Sequence, residues 1–274
     1  MKTTDRRTFL RHAGEIAGAT GILGAVSAGL VGCPPIEGGA YKIPDWPWTY
    51  VPLDVEYVRK MGHLSFYAGG CCYGTFDGIV RTLAATAGDP FDKVITDMMR
   101  YGAGGVAGFG SLCGTLNGAS AAIGLVSDKA TQTKLVAELM SWYAVTPLPT
   151  DISNQYAQNH EFFVTELKTD EWLESSVAGG NLCHLSVTNW CLQAGFNEAD
   201  VQRVERCARL TGDVAAKAVE LLNAQHNGTF VSQYAAPSSS ASCLVCHVPG
   251  SGSALSWTNG KMDCDLCHAP HEWK

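Results

Sequence analysis

Apolar residues recur at three- and four-residue steps through most of the chain between about residues 57 and 228. Phe76, Ile79, Val80, Leu83 and Ala84 form one such stripe, and Leu135, Leu139 and Trp142 another. That spacing gathers each set on one face of an α-helix. The longest predicted helix runs from about Glu198 to Gln225, with its stripe through Val201, Val204, Ala208, Ala215, Ala218, Leu221 and Leu222. No run alternates apolar and polar positions as a half-buried strand would. Gly and Pro interrupt the pattern often enough to leave five to seven helices. The expected fold class is therefore mainly α, with one helical domain over residues 57–234.

The segments around this domain read differently. Residues 33–56 hold five prolines and no helical period, which predicts an extended linker. Residues 102–124 carry eight glycines, which permit close helix packing or close approach of backbone to a cofactor. Residues 235–274 contain APSSSAS and PGSGSALSW and no apolar period long enough to build a core. Burial alone cannot offset the ordering entropy of such a tail, so the expectation is a tail of low secondary structure organised by something other than side chains. At the other end, Arg6 and Arg7 followed by Phe9 and Leu10, then an apolar run from Ile16 to Val31, resemble a twin-arginine export signal over residues 1–32. The run is short for a membrane span. It ends in Leu30-Val31-Gly32-Cys33, which resembles a lipobox and makes Cys33 a lipidation candidate.

Composition narrows the functional classes. Among 274 residues the chain has 19 Lys and Arg against 26 Asp and Glu, a formal charge of −7. Nucleic-acid binding needs a basic face, so that class is disfavoured. Removing residues 1–32 leaves an acidic mature protein at −9, since four of the basic and two of the acidic side chains go with them. The 11 cysteines are too many to be incidental.

Four of them stand in the tail as Cys243-Leu244-Val245-Cys246-His247 and Cys264-Asp265-Leu266-Cys267-His268. CxxCH is the attachment string of c-type haem. Two thiols about one helical turn apart add to the two vinyl groups on one porphyrin edge, and the following histidine ligates iron from one face. Two such strings predict two c-type haems with His247 and His268 as proximal ligands. The rival reading is a four-cysteine zinc ribbon; the histidine after each pair and the export signal favour haem. For the opposite haem faces the remaining histidines are His63, His160, His184, His226 and His271.

Six cysteines remain: Cys71, Cys72, Cys113, Cys183, Cys191 and Cys207. Several are flanked by glycines, which suits an iron–sulfur cluster because its sulfides need close backbone approach and N–H donors. Disulfides and buried free thiols are open alternatives on spacing alone.

Cys72 with Gly74, then Cys113-Gly114-Thr115-Leu116-Asn117-Gly118, then Cys183 and Cys207, resemble the C_GCAxxG_C_C family of redox proteins, with Gly114 where the family has Ala. Joined to two C-terminal CxxCH strings, this body is similar to the split-Soret cytochromes c. That resemblance implies a mainly helical homodimer with two bis-histidine c-type haems per subunit, close together near the dimer interface, and an iron–sulfur centre. It makes Cys72, Cys113, Cys183 and Cys207 the cluster candidates, with Cys71 and Cys191 in reserve, and His184, His63 and His226 the distal-ligand candidates in that order. The function expected is electron transfer in an anaerobic periplasmic redox chain, with redox partner proteins such as a basic cytochrome. The alternatives are an oxidoreductase acting on a small substrate at an open haem or cluster, and an assembly protein that shields a cluster. No Ser/His/Asp arrangement, phosphate loop or HExxH string points to hydrolysis or nucleotide chemistry.

Overall fold

The computed structural model describes residues 41–235, 237, 240–245, 247 and 261–268. The export-signal segment, Cys33, Cys246 and His271 lie outside them. The described residues form a helical body: α1 (Val55–Ala87), α2 (Gly114–Val126), α3 (Lys129–Val145), α4 (Asp151–Gln158), α5 (Cys183–Ala194) and α6 (Val201–His226). A one-turn piece in the tail, α7 (Ala241–Leu244), and two-residue strands β1 (Pro147–Leu148) and β2 (Ser176–Val177), paired antiparallel, complete the regular structure with short 3-10 turns. The mainly α expectation holds.

Local chemistry explains the helix starts. Asp54 accepts the Tyr57 N–H at 2.6 Å ahead of α1, and Asp128 accepts the Thr131 N–H at 2.8 Å ahead of α3. These are side-chain caps for donors that have no partner within the helix. Gly195, with φ 74°, ends α5 in the left-handed conformation.

α1 is not a single rod. At Gly70 the backbone reaches φ 79°, ψ −175°, a region open essentially to glycine alone. The chain doubles back there into arms 55–69 and 71–87. Residues placed symmetrically about Gly70 touch: a Cβ on Gly74 would meet Phe66 N at 2.7 Å, and one on Gly78 would meet Gly62 Cα at 2.7 Å. Small residues thus set the separation of the arms.

α6 packs against this hairpin, and α2 and α3 close the core. Phe76, Ile79, Val80 and Leu83 of α1 meet Leu116, Ala119 and Ile123 of α2, Leu135, Leu139 and Tyr143 of α3, and Val214, Ala218 and Leu221 of α6. Each large aliphatic side chain buried this way contributes about 1.5–3 kcal/mol relative to exposure. Val201, at the head of the predicted α6 stripe, is instead exposed.

Two segments expected to stand apart are docked. Residues 43–54 are extended but form a strap on the body: Trp46 Nε1 donates to Gly124 O at 2.6 Å, and Trp48 N to Leu125 O at 2.9 Å. Asn223 of α6 holds the strap by accepting from Tyr50 Oη and Leu53 N and donating to Leu53 O. Just ahead of the tail, Glu138 of α3 accepts the N–H groups of Gln233 and Tyr234, both at 2.8 Å, and Tyr234 Oη donates to Lys261 O of the tail at 3.2 Å. The described tail residues belong to the same compact unit as the body, which runs from Ile43.

Candidate metal centre

An isolated antiparallel bridge between Leu112 and Leu182 joins two distant parts of the chain. Cys113 N donates to Asn181 O at 2.9 Å, and Cys183 N to Ser111 O at 2.7 Å. Cys113 and Cys183 are thereby set side by side, one as N-cap of α2 and the other as first residue of α5. Cys71 begins the second arm of α1 directly after the reversal at Gly70. Three thiols therefore sit at helix N-termini, whose partial positive charge favours anionic sulfur. The fourth, Cys207, comes from the interior of α6.

The sulfurs feel one another. Burial, then the charges of Cys113, Cys207 and Cys183, push the Cys71 thiol up, against a Gly104 N–H that favours its thiolate. Burial and the same neighbours Cys113 and Cys207 push Cys183 up to about 12. Cys71, Cys183, Cys191 and Cys207 line a cavity of about 610 Å³, together with His184, Arg203 and Phe66. Cys113 lies buried beside it, its sulfur 3.3 Å from Thr115 Oγ1. None of the nine cysteines among the described residues is paired in a disulfide.

The backbone gives way to this group of sulfurs. A Cβ on Gly114 would overlap the Cys71 Sγ, and one on Gly105 would come within 2.7 Å of Cys183 Cβ. Opposite α5, residues 104–108 run through five successive positive φ values, among them Val106 at 65° and Ala107 at 49°. A β-branched residue rarely adopts this conformation, at a cost on the order of 1–3 kcal/mol. Bonds from Ala107 N to Tyr101 O and Ser111 N to Gly105 O, 2.8 and 3.1 Å, hold the loop in place. Among the described residues no three His, Cys, Asp or Glu side chains converge closely enough to hold one metal ion. The thiols are instead spread around a glycine-lined wall, and soft sulfur donors in that arrangement fit a polynuclear iron–sulfur group.

Cys72 stands apart from the other cluster candidates. It is fully buried in the core, senses only Cys113 among the thiols, and packs on Gly102. Adjacent helical residues point about 100° apart, and here it is Cys71 that faces Cys113, Cys183 and Cys207. His63 stands apart from the other distal-ligand candidates. It is fully buried with Nε2 bonded to Glu205 Oε1 at 2.8 Å, and its ring is stacked on Phe162 at 3.6 Å. His184 lies exposed at the cavity, over Gly110, and His226 is exposed at the end of α6 near Tyr50. Sequence reasoning missed the buried charges of α6, Glu205, Arg206, Arg209 and Asp213, because charged residues on a helix ordinarily mark its solvated face.

The tail carries one local shape twice. His247 N donates to Cys243 O at 3.0 Å, and His268 N to Cys264 O at 3.0 Å. Each CxxCH string is thus wound so that its histidine follows its first cysteine by one turn. Buried Ser240 ties the two together, accepting the Cys264 N–H at 2.9 Å and donating to Met262 O at 3.3 Å. Leu266 and Met262 lie over Gly180, 2.9 and 3.6 Å from where its Cβ would be. Gly180 precedes Asn181, the residue bonded to Cys113, and stands three positions before Cys183.

Residues 73–221 match the family described as "Putative redox-active protein (C_GCAxxG_C_C)". The chain is 32% identical over 272 residues to the split-Soret cytochrome c of Desulfovibrio desulfuricans ATCC 27774, covering 96% of this chain and 94% of that protein. A solved structure described as a novel iron centre in the split-Soret cytochrome c of the same organism superposes with a TM-score of 0.71 at 30% identity. That superposition covers 82% of this chain and 91% of the other. With its body and tail matched together, the chain belongs to the split-Soret cytochrome c family.

Proposed function

We propose that this protein is an electron carrier in which two c-type haems work beside an iron–sulfur centre. One haem is attached at Cys243 and Cys246 with His247, the other at Cys264 and Cys267 with His268. Cys71, Cys113, Cys183 and Cys207 hold the centre. The observation that carries this reading is the seat of the second CxxCH string on Gly180, in the segment that supplies Cys183 and bonds Cys113. When bound, the groups supply one-electron chemistry. The chain's own contribution is to fix them at short range, Ser240 by tying the two strings and the helix N-termini by favouring anionic sulfur. His184 and His226, both exposed, are the distal-ligand candidates that remain.

The wider setting is part of the same proposal. The twin-arginine segment suits export of an already folded body to the periplasm, and Cys33 suits a lipid anchor. No helix among the described residues is long and apolar enough to cross a membrane. A homodimer is what the family resemblance implies, and the acidic mature chain suits a basic cytochrome as partner.

A second reading, oxidation or reduction of a small molecule at an open site, draws on the cavity of about 610 Å³ with Arg203 on its wall. Carbon monoxide separates the two. Added to the reduced protein, it is expected to leave the haem spectrum unchanged, because six-coordinate haems have no vacant face. A high-spin haem that binds carbon monoxide would sink the carrier reading in favour of the second.

A further inference from the structure

Three arginines are buried in the body, and they are not equivalent. Arg59 is paired with Asp213 and Glu56. Arg209 bonds Glu205, the Asn154 side chain and the backbone carbonyls of Glu171 and Thr169. Arg206, only 1% exposed, has one partner, the Ser186 hydroxyl at 2.9 Å, while its Nε and Nη1 make no hydrogen bond. Among the described residues no carboxylate pairs with it. A guanidinium cannot shed its charge, and a buried charge without a counter-charge costs several kcal/mol. The fold must therefore supply an anion.

The anion is identified by what surrounds this side chain. Its one partner, Ser186, lies one turn after Cys183 on α5, the helix that Cys183 opens. From α3 the Tyr143 hydroxyl enters the same space, fully buried and likewise without a hydrogen-bond partner. The Cys113 sulfur and Ser186 are its neighbours there. Two buried, unsatisfied donors thus flank the two sulfurs that the Leu112–Leu182 bridge sets side by side.

We propose that Arg206 and Tyr143 are positioning residues that donate to the Cys113 and Cys183 sulfurs and raise the reduction potential of the centre those thiols hold. This rests on the reading that the thiols hold an iron–sulfur group. Thiolates bound to such a group are anionic whether it is oxidised or reduced. Gaining one electron adds one negative charge, which a nearby cation and hydroxyl dipole stabilise. No proton is transferred in the step.

The test is a potentiometric titration of the anaerobically purified full-length holoprotein, with the cluster followed by electron paramagnetic resonance and the haems by visible absorption. Wild type is compared with Tyr143→Phe, Arg206→Lys and Arg206→Gln. At fixed potential the reduced-to-oxidised ratio of the cluster is expected to fall several-fold in Tyr143→Phe. In Arg206→Gln it is expected to fall roughly tenfold or more, about 59 mV for one electron. Arg206→Lys should lie between wild type and Arg206→Gln, and the haem potentials should move less than the cluster's. Tyr143→Phe keeps the buried ring and deletes only its hydroxyl, so it should fold normally and decides the matter if Arg206→Gln does not. A full complement of cluster with an unchanged potential in Tyr143→Phe would overturn the proposal, as would a shift confined to the haems. Wild-type protein without non-haem iron and sulfide would instead overturn the underlying reading, and the proposal with it.

Discussion

Cys71 and Cys72 are neighbours in the chain and about 100° apart around the helix, which sends one sulfur to the cavity and the other into the core. Replacing Cys71 with Ala is expected to abolish or strongly reduce non-haem iron and sulfide per chain. Cys72→Ala should retain both and lower stability by about 1–2 kcal/mol, the cost of a small core cavity. Metal and sulfide analysis with thermal melting checks both outcomes, and the reverse pattern would restore Cys72 as the ligand. The family pattern was legible in the sequence. The rotation at the first position was not, because it depends on where Gly70 turns the chain. The setting of His63 was hidden for a related reason: its placement beside Glu205 is a long-range packing fact. Burial holds its folded pKa below the ordinary value of about 6.5, outweighing Glu205. The folded state then resists protonation that the unfolded chain accepts, so stability should fall as pH drops below about 6.5. His63→Gln should flatten that dependence between about pH 6.5 and 5 in urea melts taken across the range.

At the scale of elements, the hairpin made by α1 is the part that periodicity concealed. Both arms show the same helical spacing, and the sequence marks the turn only by the pair Gly69-Gly70 in a chain with 30 glycines. Hydrophobic patterning therefore predicts the helix while the reversal stays hidden. Gly70→Ala forces an alanine into a conformation costing about 1–3 kcal/mol, which for a protein of this size is a drop in melting temperature on the order of 2–12 °C. Because Cys71 follows the turn directly, the variant should also lose cluster occupancy. An unchanged melting temperature would mean that the arms need no reversal at this position. The extended strap and the docked tail were half legible. Their lack of a helical period was read correctly, but their anchors, Asn223 and Glu138, are polar side chains that no pattern singles out. α6 shows the opposite limit. Its apolar stripe predicted the packed face, whereas Glu205, Arg206, Arg209 and Asp213 are buried because the hairpin, α4, α5 and the 169–171 segment enclose the remaining faces.

For the whole molecule, the body brings thiols from four elements to one glycine-lined wall, and the tail seats a CxxCH string against the same segment. The acidic charge then governs encounter with partners. Reduction by a small basic cytochrome is expected to slow by about tenfold or more between low and high salt, since such steering is screened over a Debye length of about 8 Å at physiological ionic strength. A rate independent of salt would argue for an uncharged docking patch. The most direct measurement of the central claim combines metal analysis with visible and paramagnetic resonance spectra of the anaerobically purified mature protein, oxidised and then reduced with dithionite. The account predicts about two haems per chain with low-spin c-type bands, together with non-haem iron, sulfide and a cluster signal that disappears in Cys71→Ala. A colourless protein carrying zinc at its cysteines would contradict it.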